Sequence, residues 1–193
     1  MNELLMIMLA AVLTENIIFT KLLGVYPFLA VSEKPTAVLG VSVSLIFTMT
    51  FSSAAAWLVY NYILVPFELE YLKITVFILI IAFVVWFIEL VIKTYSEELH
   101  QKLGVFLPLI TANCAVMGAL LISTGREYDF ITAVVYGVFS AAGFILAAVI
   151  LTAVRERIKF SDPPEFFKGI PVTLVAAGLL VMAFSGFLGI EII

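Results

Sequence analysis

Apolar residues fill this chain in long continuous runs, and its polar residues collect between them. A hydrocarbon core about 30 Å thick takes about 20 helical residues to cross. Six runs reach that length between charged or turn-forming punctuation: about Leu4 to Leu29, Ala37 to Leu64, Leu72 to Ile92, Leu103 to Ser123, Phe130 to Val154 and Pro171 to Ile190. The connections are short, so little chain is left for an aqueous domain. Unpaired backbone groups in lipid are costly, which leaves helices and closed barrels as the spanning structures. These runs lack the dyad alternation of barrel strands. The pattern predicts an all-α integral membrane protein with six transmembrane helices.

Six spans divide into two halves of three, about 1–95 and 100–193, and an odd number per half sets the halves in opposite orientations. The expectation is one membrane domain built of two inverted three-helix repeats. Leu13-Thr14-Glu15-Asn16 in span one is similar to Ile110-Thr111-Ala112-Asn113 in span four. Leu23-Gly24-Val25 is likewise similar to Leu103-Gly104-Val105, in a different register. Spans one and four, the first of each half, carry the interruptions: Gly24 and Pro27 in one, Pro108 in the other. Broken helices in matching positions of two repeats point to a site near the midplane. Backbone groups freed there can bind something, provided they are shielded from lipid.

Composition agrees with the pattern. The 193 residues are 64% hydrophobic and 12% charged, against about 45–50% and 25% in soluble domains. The net charge of −4 gives no support to nucleic-acid binding. Met1-Asn2-Glu3 has no positive n-region, so the start reads as the outer end of span one and not as a cleaved signal. If the spans alternate, Lys34, Lys93, Lys102, Arg155, Arg157, Lys159 and Lys168 share one side, while Lys73 and Arg126 lie on the other. The basic excess marks the cytoplasmic face, with both termini expected outside.

Candidate chemistry is sparse. Cys114, the one cysteine, follows Thr111, Asn113 and Pro108 in an otherwise lipid-compatible run; it is either a ligand or a small apolar filler. Glu15 is an ionisable group inside a span, expensive there and by default functional; pairing with Lys21, six residues on, would join different helix faces. Glu15 and Asn16 together suggest an ion pathway, although membrane asparagines such as Asn16 and Asn113 also serve simply to bond neighbouring helices. Glu89 and Lys93 are spaced for a structural ion pair, and Ala133, Gly137 and Ala141 form a small-residue packing stripe. His100 is alone. The chain carries no phosphate loop, dinucleotide fingerprint, Cys-x-x-Cys or His-Glu-x-x-His. A single cysteine cannot hold an iron–sulfur cluster through thiolates by itself, so any cluster would be shared.

The segments Leu22 to Ser32 and Phe106 to Val116, with Arg155-Glu156-Arg157 ending span five, resemble the A-type membrane subunits of Rnf electron-transport complexes, which are counterparts of the E-type subunits of sodium-pumping NADH:quinone reductases. The similarity runs nearly end to end. It implies a non-catalytic electron-transfer component whose broken helices meet those of a homologous, oppositely inserted partner of the Rnf E type. The two would share a [2Fe–2S] cluster on the route between ferredoxin or NADH and membrane flavins, alongside flavin and iron–sulfur subunits, with electron flow coupled to Na+ or H+ movement. Cys114 matches the family's cluster cysteine, and Gly24 and Asn113 stand beside the cluster positions. The family's other cysteine falls in Leu-Gly-x-Cys-Pro-Phe, where this chain has Tyr26. A phenolate can bind iron but is a harder ligand than thiolate. Two other classes remain open: an ion carrier or channel, in which Glu15, Asn16 and Asn113 coordinate a cation without a redox centre, and a scaffold that only packs other subunits.

Overall fold

A computed structural model describes residues 2–31, 35–95, 113–158, 160 and 164–186. Every regular element among them is helical. Helix α1, Asn2–Leu9, runs into a π-helical turn, Ala10–Thr14, that stops at Glu15. Helix α2 is Val25–Val31, and α3, Pro35–Val59, is extended by a second π turn, Tyr60–Leu64. A 3-10 turn, Glu70–Leu72, leads into α4, Lys73–Tyr95. Helices α5, Cys114–Gly125, and α6, Phe130–Ile158, follow, and a 3-10 turn, Glu165–Phe167, precedes α7, Ile170–Ser185.

Three stretches are long and apolar enough to cross a membrane: Val41–Leu64, Glu70–Thr94 and Phe130–Ile158. Three more apolar helices are shorter, Leu4–Thr14, Cys114–Gly125 and Ile170–Ser185. All six overlap the expected spans, several running one to four residues past their bounds, but the expectation of six full-length helices is met by three among the described residues. Span one is short because it breaks at Glu15. The described part of span four begins at Asn113, so Leu103 to Ala112, with Pro108, lies outside the described residues, as does span six beyond Gly186.

The break in span one is also placed differently from expectation. It occupies residues 15–24, and Pro27 sits in the first turn of α2. There its missing N–H would have had no helical partner, so the proline starts a helix instead of interrupting one.

Helix α6 is the centre of the bundle, burying Ala133, Tyr136, Gly137, Ser140, Ala141, Gly143, Phe144, Ala147, Ala148 and Leu151. Its small residues let α3 approach closely: a Cβ on Gly137 would stand 2.3 Å from Ser53 Oγ and 3.1 Å from the Met49 carbonyl. The Ala133/Gly137/Ala141 stripe thus faces inward, where backbone proximity replaces side-chain bulk. Helix α4 is apolar all round and leaves Ile74, Ile78, Leu79, Phe83, Trp86 and Phe87 exposed, a surface suited to lipid. The expected Glu89–Lys93 pair does not form. Lys93 is exposed, where holding two long side chains together gains little. The ion pair among the described residues joins Glu15 to Arg126. At the other end of the bundle Arg155 donates to the Leu29 carbonyl at 2.9 Å, fixing α2 to the last turn of α6.

Candidate functional site

The interruption in span one is built around Asn16, which is fully buried. Its amide donates to the carbonyls of Val12 at 2.9 Å and of Gly143, on α6, at 2.8 Å. Its Oδ1 accepts from the N–H groups of Ile18 at 3.0 Å and Phe19 at 3.3 Å. Both amide protons and both carbonyl lone pairs are therefore taken, and the side chain has none left to offer a cation. Asn16 instead supplies partners that the broken helix has lost, which a buried backbone requires. Gly143 makes this possible: a Cβ there would lie 2.9 Å from the Ala11 carbonyl and 3.1 Å from Asn16 Nδ2.

The turn then closes on left-handed backbone. Leu22 has φ +55°, and the N–H groups of Leu22 and Leu23 donate at 3.1 Å to the carbonyls of Ile18 and Ile17, a paired closure of the kind that ends helices. Gly24 follows with φ +79°. A Cβ there would meet Asn113 Oδ1 at 2.7 Å, Ala115 Cβ at 2.9 Å and Phe144 Cε2 at 3.3 Å. Glycine is required twice over, by conformation and by the approach of α5.

Helix α5 begins at that contact. Asn113 is its N-cap, with extended backbone, and Oδ1 accepts from the Ala115 N–H at 2.9 Å, satisfying one of the orphan donors of the first turn. Cys114 is the first helical residue, and its Sγ accepts from the Gly24 N–H at 2.8 Å. Ala115 and Val116 behind it are fully buried, whereas Cys114 is exposed. Leu23 folds over α5 at Gly118, where a Cβ would fall 2.3 Å from Leu23 Cδ1. The structure thus brings Gly24, Asn113 and Cys114 together at the start of α5. Tyr26 lies two residues from Gly24 in the first turn of α2; its side chain is outside the described residues.

Glu15 belongs elsewhere. Its partner is Arg126, which follows the end of α5, and not Lys21, which is exposed in the turn. Twelve helical residues separate the two ends of α5 by about 18 Å, so Glu15 stands level with the end of α5, away from Cys114. Arg126 also donates to the Tyr128 hydroxyl at 2.9 Å. The hydrogen bond to Glu15 holds the guanidinium above its ordinary pKa, against the opposing effect of burial. The second carboxylate oxygen of Glu15 is buried with no partner among the described residues. Arg126 was not among the sequence candidates, although a lone cation between spans is the natural counter-charge for a lone carboxylate within one.

Among the described residues no three His, Cys, Asp or Glu side chains converge as a metal site. Around Cys114 the structure shows an exposed sulfur, a backbone donor aimed at it, and buried Ala115 and Val116 following it in the helix.

Residues 4–191 match the model of a family described as Rnf-Nqr subunit, membrane protein. The A subunit of the ion-translocating oxidoreductase complex of Shewanella oneidensis is 43% identical over 190 residues, covering 98% of this chain and 99% of that protein. The proteins of the same name from Azoarcus sp. strain BH72 and Serratia proteamaculans are 42% and 44% identical, each over 190 residues covering 98% of both chains.

Proposed function

The chain belongs to the Rnf-Nqr family of membrane subunits, and we propose that it carries electrons within an ion-translocating oxidoreductase complex, with Cys114 as its thiolate ligand to a [2Fe–2S] cluster shared with a homologous, oppositely inserted subunit. The observation that carries this reading is the Gly24 N–H donating to the exposed Cys114 sulfur at 2.8 Å. The names of the relatives supply the complex and its ion-translocating activity.

The residues present suit one quarter of such a site. A [2Fe–2S] cluster takes four protein ligands, and this chain has one cysteine, exposed on its own surface. Hydrogen bonds to the sulfurs are among the levers that set a cluster's potential, and Gly24 provides one. Tyr26 stands where the resemblance places a second cysteine, and a phenolate is a harder ligand than a thiolate. The remaining ligands are assigned to the partner. When bound, the cluster supplies a one-electron carrier inside the membrane.

The chain's own residues do the rest. Asn113 fixes where α5 starts, so the positive end of that helix faces whatever negative charge gathers at Cys114. Leu23 on Gly118 locks the break against the helix, and buried Ala115 and Val116 keep water from the rear of the sulfur. No proton donor or substrate cavity is needed for electron transfer, so catalytic residues belong to other subunits. The six apolar segments read as six crossings in two inverted halves, with both termini outside a prokaryotic inner membrane, a reading supported by the basic residues that would share one face.

Iron and acid-labile sulfide in the purified complex test the proposal. Cys114→Ala should remove two irons and two sulfides per complex while the subunits stay assembled. An unchanged count would take Cys114 out of the electron path and favour the ion carrier with no redox centre on this chain.

A further inference from the structure

Three polar atoms near the break in span one are buried without a hydrogen-bond partner among the described residues: Glu15 Oε2, Tyr136 Oη and Ser140 Oγ. Tyr136 is 1% exposed and Ser140 is fully buried. The two stand four residues apart on α6 and so share one face of that helix. Hydroxyls elsewhere in the bundle, those of Thr48, Thr124 and Thr152, each donate to the carbonyl four residues back. That is the usual recourse of a hydroxyl in an apolar helix, and Ser140 does not take it.

Packing brings the three together. Asn16 bonds the Gly143 carbonyl on α6, while the neighbouring Glu15 carboxylate reaches Arg126, which precedes α6. The Glu15 side chain therefore runs back along α6 from the level of Gly143, past Ser140 and Tyr136, both within about 10 Å of Gly143 along the helix axis. The π turn Ala10–Thr14 sets this direction. Its backbone lies against Gly143, and it closes with the Glu15 N–H donating to the Ala10 carbonyl at 2.7 Å. Beyond, the Tyr128 ring packs on Tyr136 with centroids 5.6 Å apart, and Arg126 donates to the Tyr128 hydroxyl. Glu15 and Arg126 both act electrostatically on the Tyr136 hydroxyl, and Ser140 stands beside it.

We propose that Glu15 Oε2, Tyr136 Oη and Ser140 Oγ bind an internal water molecule. Buried waters typically make about three hydrogen bonds to polar groups that otherwise have none. The three atoms supply the matching chemistry, a carboxylate oxygen that accepts and two hydroxyls that donate or accept. Charge selects water over a cation: Arg126 already neutralises Glu15, so a positive ion at Oε2 would face the guanidinium across a single carboxylate. A neutral molecule meets no such repulsion. With the water in place, a hydrogen-bonded chain runs from the partly exposed Arg126, through Glu15, to hydroxyls in the bundle core. This site lies at the end of α5 away from Cys114 and does not rest on the redox reading.

A map of the complete complex in nanodiscs, at a resolution that shows ordered water, tests the proposal. The expected result is one water within about 2.5–3.0 Å of all three atoms, present equally in sodium and in potassium buffer. Density that is absent, or that appears only in sodium, overturns it. Tyr136→Phe gives a second readout, because it removes the hydroxyl and keeps the ring. The unfolding midpoint of the complex should fall by about 2–4 °C, and Ser140→Ala should cost less in the Tyr136→Phe background than alone, since the two hydroxyls share one partner. A midpoint unchanged or raised by Tyr136→Phe shows a hydroxyl with no partner to lose and overturns the proposal as well. Neither readout depends on electron flow, so failure here leaves the cluster reading standing, and loss of the cluster in Cys114→Ala leaves the water site untouched.

Discussion

The backbone N–H of Gly24 points at the sulfur of Cys114 from 2.8 Å away, although 90 residues of chain separate them. The contact exists because Gly24 adopts φ +79° and carries no Cβ to strike Asn113. We expect Gly24→Ala to cost about 2–4 kcal/mol, combining left-handed backbone strain with overpacking. The unfolding midpoint of the complex should fall, and the reduction potential of the proposed cluster should drop as its sulfur loses a backbone donor. A variant with wild-type stability and a wild-type potential would refute this account of Gly24.

Asn16 is a structural clasp. Asn16→Leu keeps the γ-branched shape but orphans the N–H groups of Ile18 and Phe19 and removes the second bond to the Gly143 carbonyl. Buried unsatisfied groups cost about 1–3 kcal/mol each, while polar contacts inside membranes average nearer 0.6 kcal/mol. A loss of about 2–4 kcal/mol is expected in detergent unfolding, and a loss under 0.5 kcal/mol would show that the break holds itself.

The Glu15–Arg126 pair is partly exposed, with side chains 22% and 35% accessible, so solvent discounts it. A double-mutant cycle with Glu15→Gln and Arg126→Gln should give a coupling of about 0.5–1.5 kcal/mol. Arg126→Gln alone should destabilise more than the double variant, because it leaves a partly buried carboxylate unpaired. In transport assays Glu15→Gln is expected to slow ion uptake more than electron flow; equal slowing would make Glu15 purely structural.

Two glycines separate rigid from yielding contacts. A Cβ at Gly143 meets the Ala11 carbonyl at 2.9 Å, whereas one at Gly118 meets the Leu23 Cδ1 methyl, the end of a flexible side chain. Gly143→Ala should therefore destabilise the protein by about 1–3 kcal/mol, and Gly118→Ala by less, since Leu23 can turn aside. The opposite order in a thermal-unfolding comparison would mean that α6 shifts more easily than Leu23 rotates.

Much of this was legible in the chain. Apolar run lengths located the six helical segments, because that signal is local and set by the bilayer, whereas the break in span one was expected at Gly24 and Pro27 and begins instead at Glu15. Long-range partners were not legible. Glu15 finds Arg126 across 111 residues, a distance over which periodicity carries no information, and the nearer Lys21 was a false lead. Pro27 read as a breaker because a proline's effect depends on whether it falls inside a helix or in its first turn. Gly118 and Gly143, isolated within helical runs, hint at close packing, as the Ala133/Gly137/Ala141 stripe does.

Electron paramagnetic resonance of the reduced complex at low temperature tests the central claim most directly, with Cys114→Ala compared against the unaltered protein. The account predicts that one [2Fe–2S] signal disappears from the variant while the signals of the other iron–sulfur subunits persist. A spectrum identical in both would contradict it.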